Sequence, residues 1–250
     1  MNSRASKQTA RPLGVRGHQK RSHLVASFKA SGEMFVETPD ESTTMLAIDV
    51  DPRTVSITPQ PFTVRLDLEQ VFATKAEALR AEPRARPERL NGEPPLERVY
   101  TPDFLVERTH PVPLVVEAKS AIEVKRIAEA LARRGRVLNN LGFHYLVVPS
   151  TEIDHRGLHA NLVHMRDAVK YRRDNNIQPL LDSLIKEVAN RQGQFLLGEL
   201  KGAVSDTAIY LGLISGVIAC DLRSGNFGVN TVLWPAHGNL PHLQVLQLEA

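Results

Sequence analysis

Tyr100-Thr-Pro-Asp103-Phe-Leu-Val106 and Leu114-Val-Val-Glu117-Ala-Lys119 carry the side chains best suited to chemistry in this chain. Asp103 stands at the mouth of one apolar strand. Glu117 and Lys119 lie two apart on the next, and period-two alternation turns both to the same face. An ionised group inside an apolar strand carries a desolvation cost that folding alone would not select. Two carboxylates and an ammonium converging on one spot therefore point to a site for a divalent metal and an anionic substrate. Taken singly, each half is ordinary: Asp after Pro is a common turn residue, and Glu-x-Lys at a strand end is commonly a solvated edge. Together the two halves constrain each other, because they sit on consecutive strands.

The elements around these residues must position them. Phe35-Val36-Glu37-Thr-Pro-Asp40-Glu41 leads into Ser42 to Val50, where apolar residues recur at helical spacing behind an acidic start. Glu37 or Asp40 suits the cap of this helix, whereas capping alone does not account for Glu41. Asp51-Pro52 ends it. Val55 to Leu66 alternates as a strand, with Pro59 and Pro61 restricting its pairing to an edge or bulge. Residues 75–97 hold Glu, Arg and four prolines with few large apolar side chains, and read as a flexible inserted loop. Leu114-Val115-Val116 is a buried-strand run, residues 119–138 are a helix candidate, and Gly142 to Pro149 is a further buried strand. The helix carries Ile122, Val124, Ile127, Ala128, Ala130 and Leu131 on one face. Its polar face carries Lys125, Arg126, Arg133, Arg134 and Arg136, which could hold a DNA backbone or form a solvated side partly paired by Glu123 and Glu129. A domain boundary is expected near residue 150.

At 250 residues with 42% hydrophobic content, the chain can bury a real core. Its one cysteine, Cys220, excludes a disulfide framework or a Cys-based zinc site within one chain. No run of about 18 apolar residues occurs, and the basic amino terminus lacks the apolar stretch of a secretory signal, so neither membrane insertion nor export is expected. Residues 1–32 contain seven Lys or Arg, Lys29 among them, and no Asp or Glu. Such a polycation suits phosphate contacts or a solubilising tail. His155 and His159 are four apart but have Gly157 between them and no convincing third ligand, so a surface role is expected.

The last hundred residues are punctuated differently. Asn161 to Arg173 reads as a basic helix, and Asp174-Asn-Asn176 stops it. Pro179 suits the first turn of a second helix with Leu180, Leu181, Leu184, Ile185 and Val188 on a core face. Asp206 is a plausible cap for a third, Thr207 to Ile214, followed by Gly216. Residues 217–222 and 229–234 read as two strands around a turn with two glycines, Gly225 and Gly228. Three helices and a hairpin resemble a winged helix. The third helix has no Arg or Lys to read bases, so protein docking or a structural role is favoured for this part.

The Asp103, Glu117 and Lys119 arrangement resembles the PD-(D/E)xK nuclease core. The ordered set Glu37-Thr-Pro-Asp-Glu41, Asp51-Pro52, Val55, Gln60-Pro61, Tyr100-Thr-Pro-Asp103-Phe and Glu117-Ala-Lys119 is similar to the amino-terminal nuclease domain of TnsA, the endonuclease subunit of heteromeric transposases. The basic lead ending in Ser27-Phe-Lys29 and the carboxy-terminal winged helix match too, so the likeness covers roughly residues 20–235. It implies an α/β restriction-endonuclease-like core, a mixed central sheet flanked by helices, followed by a winged-helix domain. The expected division is a basic segment 1–25, a nuclease domain 26–152 and a winged-helix-like domain 153–250. Glu41, Asp103, Glu117 and Lys119 would be catalytic, with Glu41, Asp103 and Glu117 holding one or two Mg2+ or Mn2+ ions. Lys29, Lys125, Arg126 and Arg133 would contact DNA. The resemblance further implies cutting of the 5′ ends of a mobile element beside a DDE-type transposase, an AAA+ regulator contacting the carboxy-terminal domain, and a cytoplasmic, nucleoid-associated place in a bacterium, with no membrane. One departure is that such proteins can carry Gln where this chain has Glu117. Two other readings fit the residues: an autonomous restriction or repair endonuclease, and a DNA-binding assembly factor with a relic nuclease fold.

Overall fold

A computed structural model describes residues 23–30, 33–81, 97–189, 191 and 193–248. Most of the basic segment expected at 1–25 therefore lies outside the described residues, as do positions 82–96 of the expected insertion. An antiparallel pair, β1 (His23–Ala26) and β2 (Glu33–Val36), precedes α1 (Pro39–Val50). The cap of α1 is Thr38 rather than Glu37 or Asp40: its hydroxyl accepts from the Glu41 amide at 3.1 Å. Pro39 fits the first turn, where its missing N–H costs nothing, and Asp40 and Glu41 face the positive end of the helix dipole. Every residue from Ser42 to Val50 is buried, because α1 is covered on both sides.

The strand expected over 55–66 is two, β3 (Thr54–Pro59) and β4 (Thr63–Arg65). Gln60 breaks it with a left-handed φ of 41°, and Pro61 has no amide to continue the ladder. β5 (Gln70–Phe72) follows, and then α2 (Lys75–Arg80), where the sequence suggested loop. Thr74 and Glu77 form a capping box that starts α2: the Thr74 hydroxyl accepts from Glu77 N at 3.2 Å, and the Glu77 carboxylate accepts from Thr74 N at 3.1 Å. The fully buried Arg65 holds the other end, donating to the Ala78 and Ala81 carbonyls at 2.6 and 2.8 Å while paired with Asp67.

β6 (Val99–Tyr100), β7 (Phe104–Arg108) and β8 (Leu114–Lys119) come next. The helix expected at 119–138 is broken at Ile127 into α3 (Ala121–Arg126) and α4 (Ala128–Asn140), and β9 (His144–Pro149) closes the unit. Among the described residues the central sheet has the order β3-β7-β8-β9, antiparallel except for the parallel β8/β9 pair that α3 and α4 connect. β8 is buried on both faces from Leu114 to Ala118. On one side Val115, Val137, Leu138, Tyr100 and Val64 form a cluster beneath α4, and on the other α1 covers the sheet. The molecule is thus a mixed α/β protein with a central mixed sheet flanked by helices.

Beyond β9 run α5 (Ser150–Ile153), α6 (Leu158–Asp174), α7 (Gln178–Val188), β10 (Phe195–Leu196), α8 (Asp206–Ile214), β11 (Ile218–Ala219) and β12 (Val232–Pro235). Ser205 caps α8, with Asp206 as its first residue. The described strands pair antiparallel in the order β10-β12-β11, and β11 is shorter than the expected 217–222 because Asp221 already turns the chain. No apolar gap marks residue 150. Met45 and Ile48 of α1 and Leu158, Leu162 and Met165 of α6 belong to one buried cluster that reaches Leu248. His159 meets Thr43 of α1, its Nδ1 2.9 Å from the hydroxyl. No described helix is long and apolar enough to cross a membrane.

Candidate active site

The end of β6, the start of β7, the end of β8 and the first turn of α1 meet at one cleft of about 420 Å3. Asp103, Glu117, Lys119 and Glu41, all singled out from the sequence, line it together. Registering Phe104 opposite Val116 sets Asp103 beside the carboxy-terminal end of β8. There the Ala118 amide donates to Asp103 Oδ2 at 3.0 Å, fixing the carboxylate. Lys119 Nζ lies 2.8 Å from Glu117 Oε1 and 3.4 Å from Asp103 Oδ2, so the same-face alternation holds and the ammonium bridges both acids.

Each carboxylate is held differently. Glu41 is pinned by the Glu37 amide, which donates to its Oε2 at 2.7 Å. Glu117 is almost fully buried, and its oxygens accept from Lys119, from Arg134 Nη1 at 2.9 Å and from the Tyr100 hydroxyl. Arg134 belongs by charge to the polar face that could hold DNA or form a solvated side, yet it points inward from α4, with Nε and Nη2 on the Glu97 carboxylate at 2.8 and 2.7 Å and its guanidinium carbon 4.4 Å from the Tyr100 ring centre. The signal was present: Arg134 lies three residues after Leu131 and three before Val137, both buried, so helical spacing puts it on the core face.

The proposed DNA contacts divide. Lys125 and Arg126 are exposed on α3 and do not line the cleft, although Arg126 pairs at 3.4 Å with Glu123, which does. Arg133 is only partly exposed and donates to the Glu97 carbonyl at 2.6 Å. Lys29 turns inward: its ammonium donates to the Asp51 carbonyl at the end of α1, while its backbone amide and the Ser27 hydroxyl bind Asp49. Burial lowers the Lys29 pKa, against the raising influence of Asp49 and Asp51. Lys75, in the segment whose sequence suggests a loop, reaches the cleft because Thr74 starts α2 there.

The charge balance is informative. Among the described residues the cleft wall carries seven acids, Glu37, Asp40, Glu41, Glu97, Asp103, Glu117 and Glu123, against three bases, Lys75, Lys119 and Arg134. Burial first, and then Glu117 and Glu41, push the Asp103 carboxyl above the usual carboxylate range, with Lys119 opposing. Burial works against the Lys119 ammonium, but Asp103 and Glu117 outweigh it and hold it protonated above its ordinary value. Burial and Glu117 raise Tyr100, which stays a neutral donor. Lys119 therefore sits as a cation between the two acids.

Among the described residues no three His, Cys, Asp or Glu side chains are grouped as a metal would hold them. The Glu117 oxygens are bonded to a guanidinium, an ammonium and a phenol. The side-chain chemistry nonetheless fits a hard divalent ion: Asp103, Glu117 and Glu41 put carboxylate oxygens into one cleft, where burial first and then the neighbouring acids raise the Asp103 carboxyl. No family model and no curated protein matches the chain.

Proposed function

We propose that this protein is a divalent-metal-dependent DNA endonuclease. The observation that carries the reading is the convergence of Asp103, Glu117 and Lys119 on one acidic cleft, with the ammonium 2.8 and 3.4 Å from the two carboxylates. A wall this acidic repels a phosphodiester by itself, so an anionic substrate requires cations there. Asp103, Glu117 and Glu41 would hold Mg2+ or Mn2+, which supplies charge neutralisation at the phosphate and an activated water when bound. Lys119 presents a permanent positive charge beside the same carboxylates, suited to stabilising the charge that develops on a pentacoordinate phosphate. Tyr100 and Arg134 orient Glu117. Lys125 and Arg126 of α3 offer exposed charge for the DNA backbone.

The element order α1, β3, β7, β8, α3/α4, β9 supports a restriction-endonuclease-like core, and the order α6, α7, β10, α8, β11, β12 with β12 central supports a winged-helix-like module. The ordered motifs similar to TnsA extend the proposal to transposition: cutting 5′ ends of a mobile element beside a DDE-type transposase, with an AAA+ regulator meeting the α6–β12 region. α8 carries no Arg or Lys, which favours protein docking there over base readout. The test is strand mapping. Element-end DNA incubated with the full chain, Mn2+ and a cognate DDE transposase should be cut on the 5′ strand only. Cuts confined to the 3′ strand, or 5′ cuts appearing equally without the transposase, would overturn the transposition reading.

A further inference from the structure

Gln60 sits in the cleft wall in a way that folding does not explain. It follows the last β3/β7 pair, Pro59 opposite Phe104, and its backbone amide donates to the Asp103 carbonyl at 2.9 Å. That amide bond serves the fold whatever the side chain. The backbone there has φ 41°, a left-handed conformation disfavoured for a residue with a Cβ and further disfavoured immediately before a proline. The residue is 9% exposed and lines the cleft with Asp103, Glu117, Lys119 and Glu41. Its carboxamide oxygen is buried and has no hydrogen-bond partner among the described residues. Buried polar oxygens are almost always bonded, and a strained backbone together with an orphan acceptor at a cleft marks a position kept for something that enters the cleft.

We propose that Gln60 belongs to the cation site, its carboxamide oxygen serving beside Asp103 as a ligand of the divalent ion. A carboxamide oxygen is a hard, neutral donor of the kind that Mg2+ and Mn2+ accept, and it adds a ligand to a wall already rich in negative charge without adding to the repulsion there. The inference rests on the endonuclease reading, and one calorimetric series separates the two. MnCl2 is titrated into the full-length wild type, Gln60→Ala, Gln60→Glu and Asp103→Asn. The wild type binds. Gln60→Ala binds at least about tenfold more weakly, and its metal-free thermal midpoint stays within about 3 °C of wild type, since no hydrogen bond of the fold is lost. Gln60→Glu, nearly isosteric, binds Mn2+ more tightly than wild type. Gln60→Ala matching wild-type affinity while Asp103→Asn fails to bind would overturn the Gln60 assignment and leave the endonuclease reading standing, as would a folded Gln60→Glu that binds no more tightly. A wild type that binds no Mn2+ overturns both.

Discussion

Removing Arg134 should expose how much the cleft depends on it as an internal counter-cation. In Arg134→Met, Glu117 loses a partner at 2.9 Å and Glu97 loses two contacts at 2.8 and 2.7 Å. The two ends are not equivalent: the Glu97 side chain is 32% exposed and can be rehydrated, whereas that of Glu117 is 3% exposed and cannot. Breaking a buried ion pair by deleting one partner costs about 3–5 kcal/mol. Lys119 remains 2.8 Å from Glu117, which moves the expectation to the lower end of that range. A loss of about 3 kcal/mol corresponds to a drop of about 6–12 °C in thermal midpoint for a chain of this size. Urea unfolding followed by circular dichroism measures it directly. Because the penalty is an uncompensated charge, the Glu117→Gln, Arg134→Met double variant should lose less than the sum of the single losses by more than about 1 kcal/mol. An Arg134→Met variant within about 1 kcal/mol of wild type, or strictly additive losses, would refute the reasoning.

Three further outcomes follow from the same geometry. Asp103 has its folded-state pKa raised, so the native state holds a proton that the unfolded chain releases, and this stabilising contribution is complete below the unfolded carboxylate range and lost as pH rises through the elevated folded value. Asp103→Asn, which can still accept from the Ala118 amide, should therefore become progressively more stable than wild type between pH 4 and pH 8; thermal melts across that range showing a constant difference would count against it. Lys119→Ala should slow cleavage by about 100-fold or more, while Mn2+ affinity by calorimetry stays the same or tightens as a competing cation leaves; affinity falling in parallel with rate would contradict the assigned role. Cys220 is buried, and that burial, with Asp221, pushes its thiol up to about 12, so iodoacetamide at pH 8 should label it only after denaturation, as mass spectrometry of intact protein would show.

Where side-chain type and strand period coincide, the site was legible in advance. Glu117 and Lys119 had to share a face once residues 114–119 were a strand, and the Pro before Asp103 fitted a strand start. Thr74 and Glu77 carry a capping-box signal for α2 that the prolines following it in the sequence obscure. Charge puts Arg134 on a polar face, DNA-holding or solvated, although its spacing from Leu131 and Val137 sets it inside; a buried partner such as Glu117, seventeen positions away, is not visible from helix periodicity. The break at Ile127 has neither glycine nor proline to announce it. Lys29 belonged to a basic run whose expected partner was phosphate, but Asp49 and the carbonyl end of α1 supply nearer acceptors. Gln60 carries no signal in the sequence beyond its place in a motif, because its left-handed backbone and orphan oxygen exist only once β3 and β7 are paired.

The most direct test is nicking of supercoiled plasmid carrying element ends by the full-length wild type and by Asp103→Ala, in Mg2+, Mn2+ or EDTA, with and without a cognate DDE transposase. The account predicts nicks that require a divalent ion and are lost by about 100-fold or more in a folded Asp103→Ala. Equal nicking by the folded Asp103→Ala variant, or no nicking by wild type under any of these conditions, would contradict it.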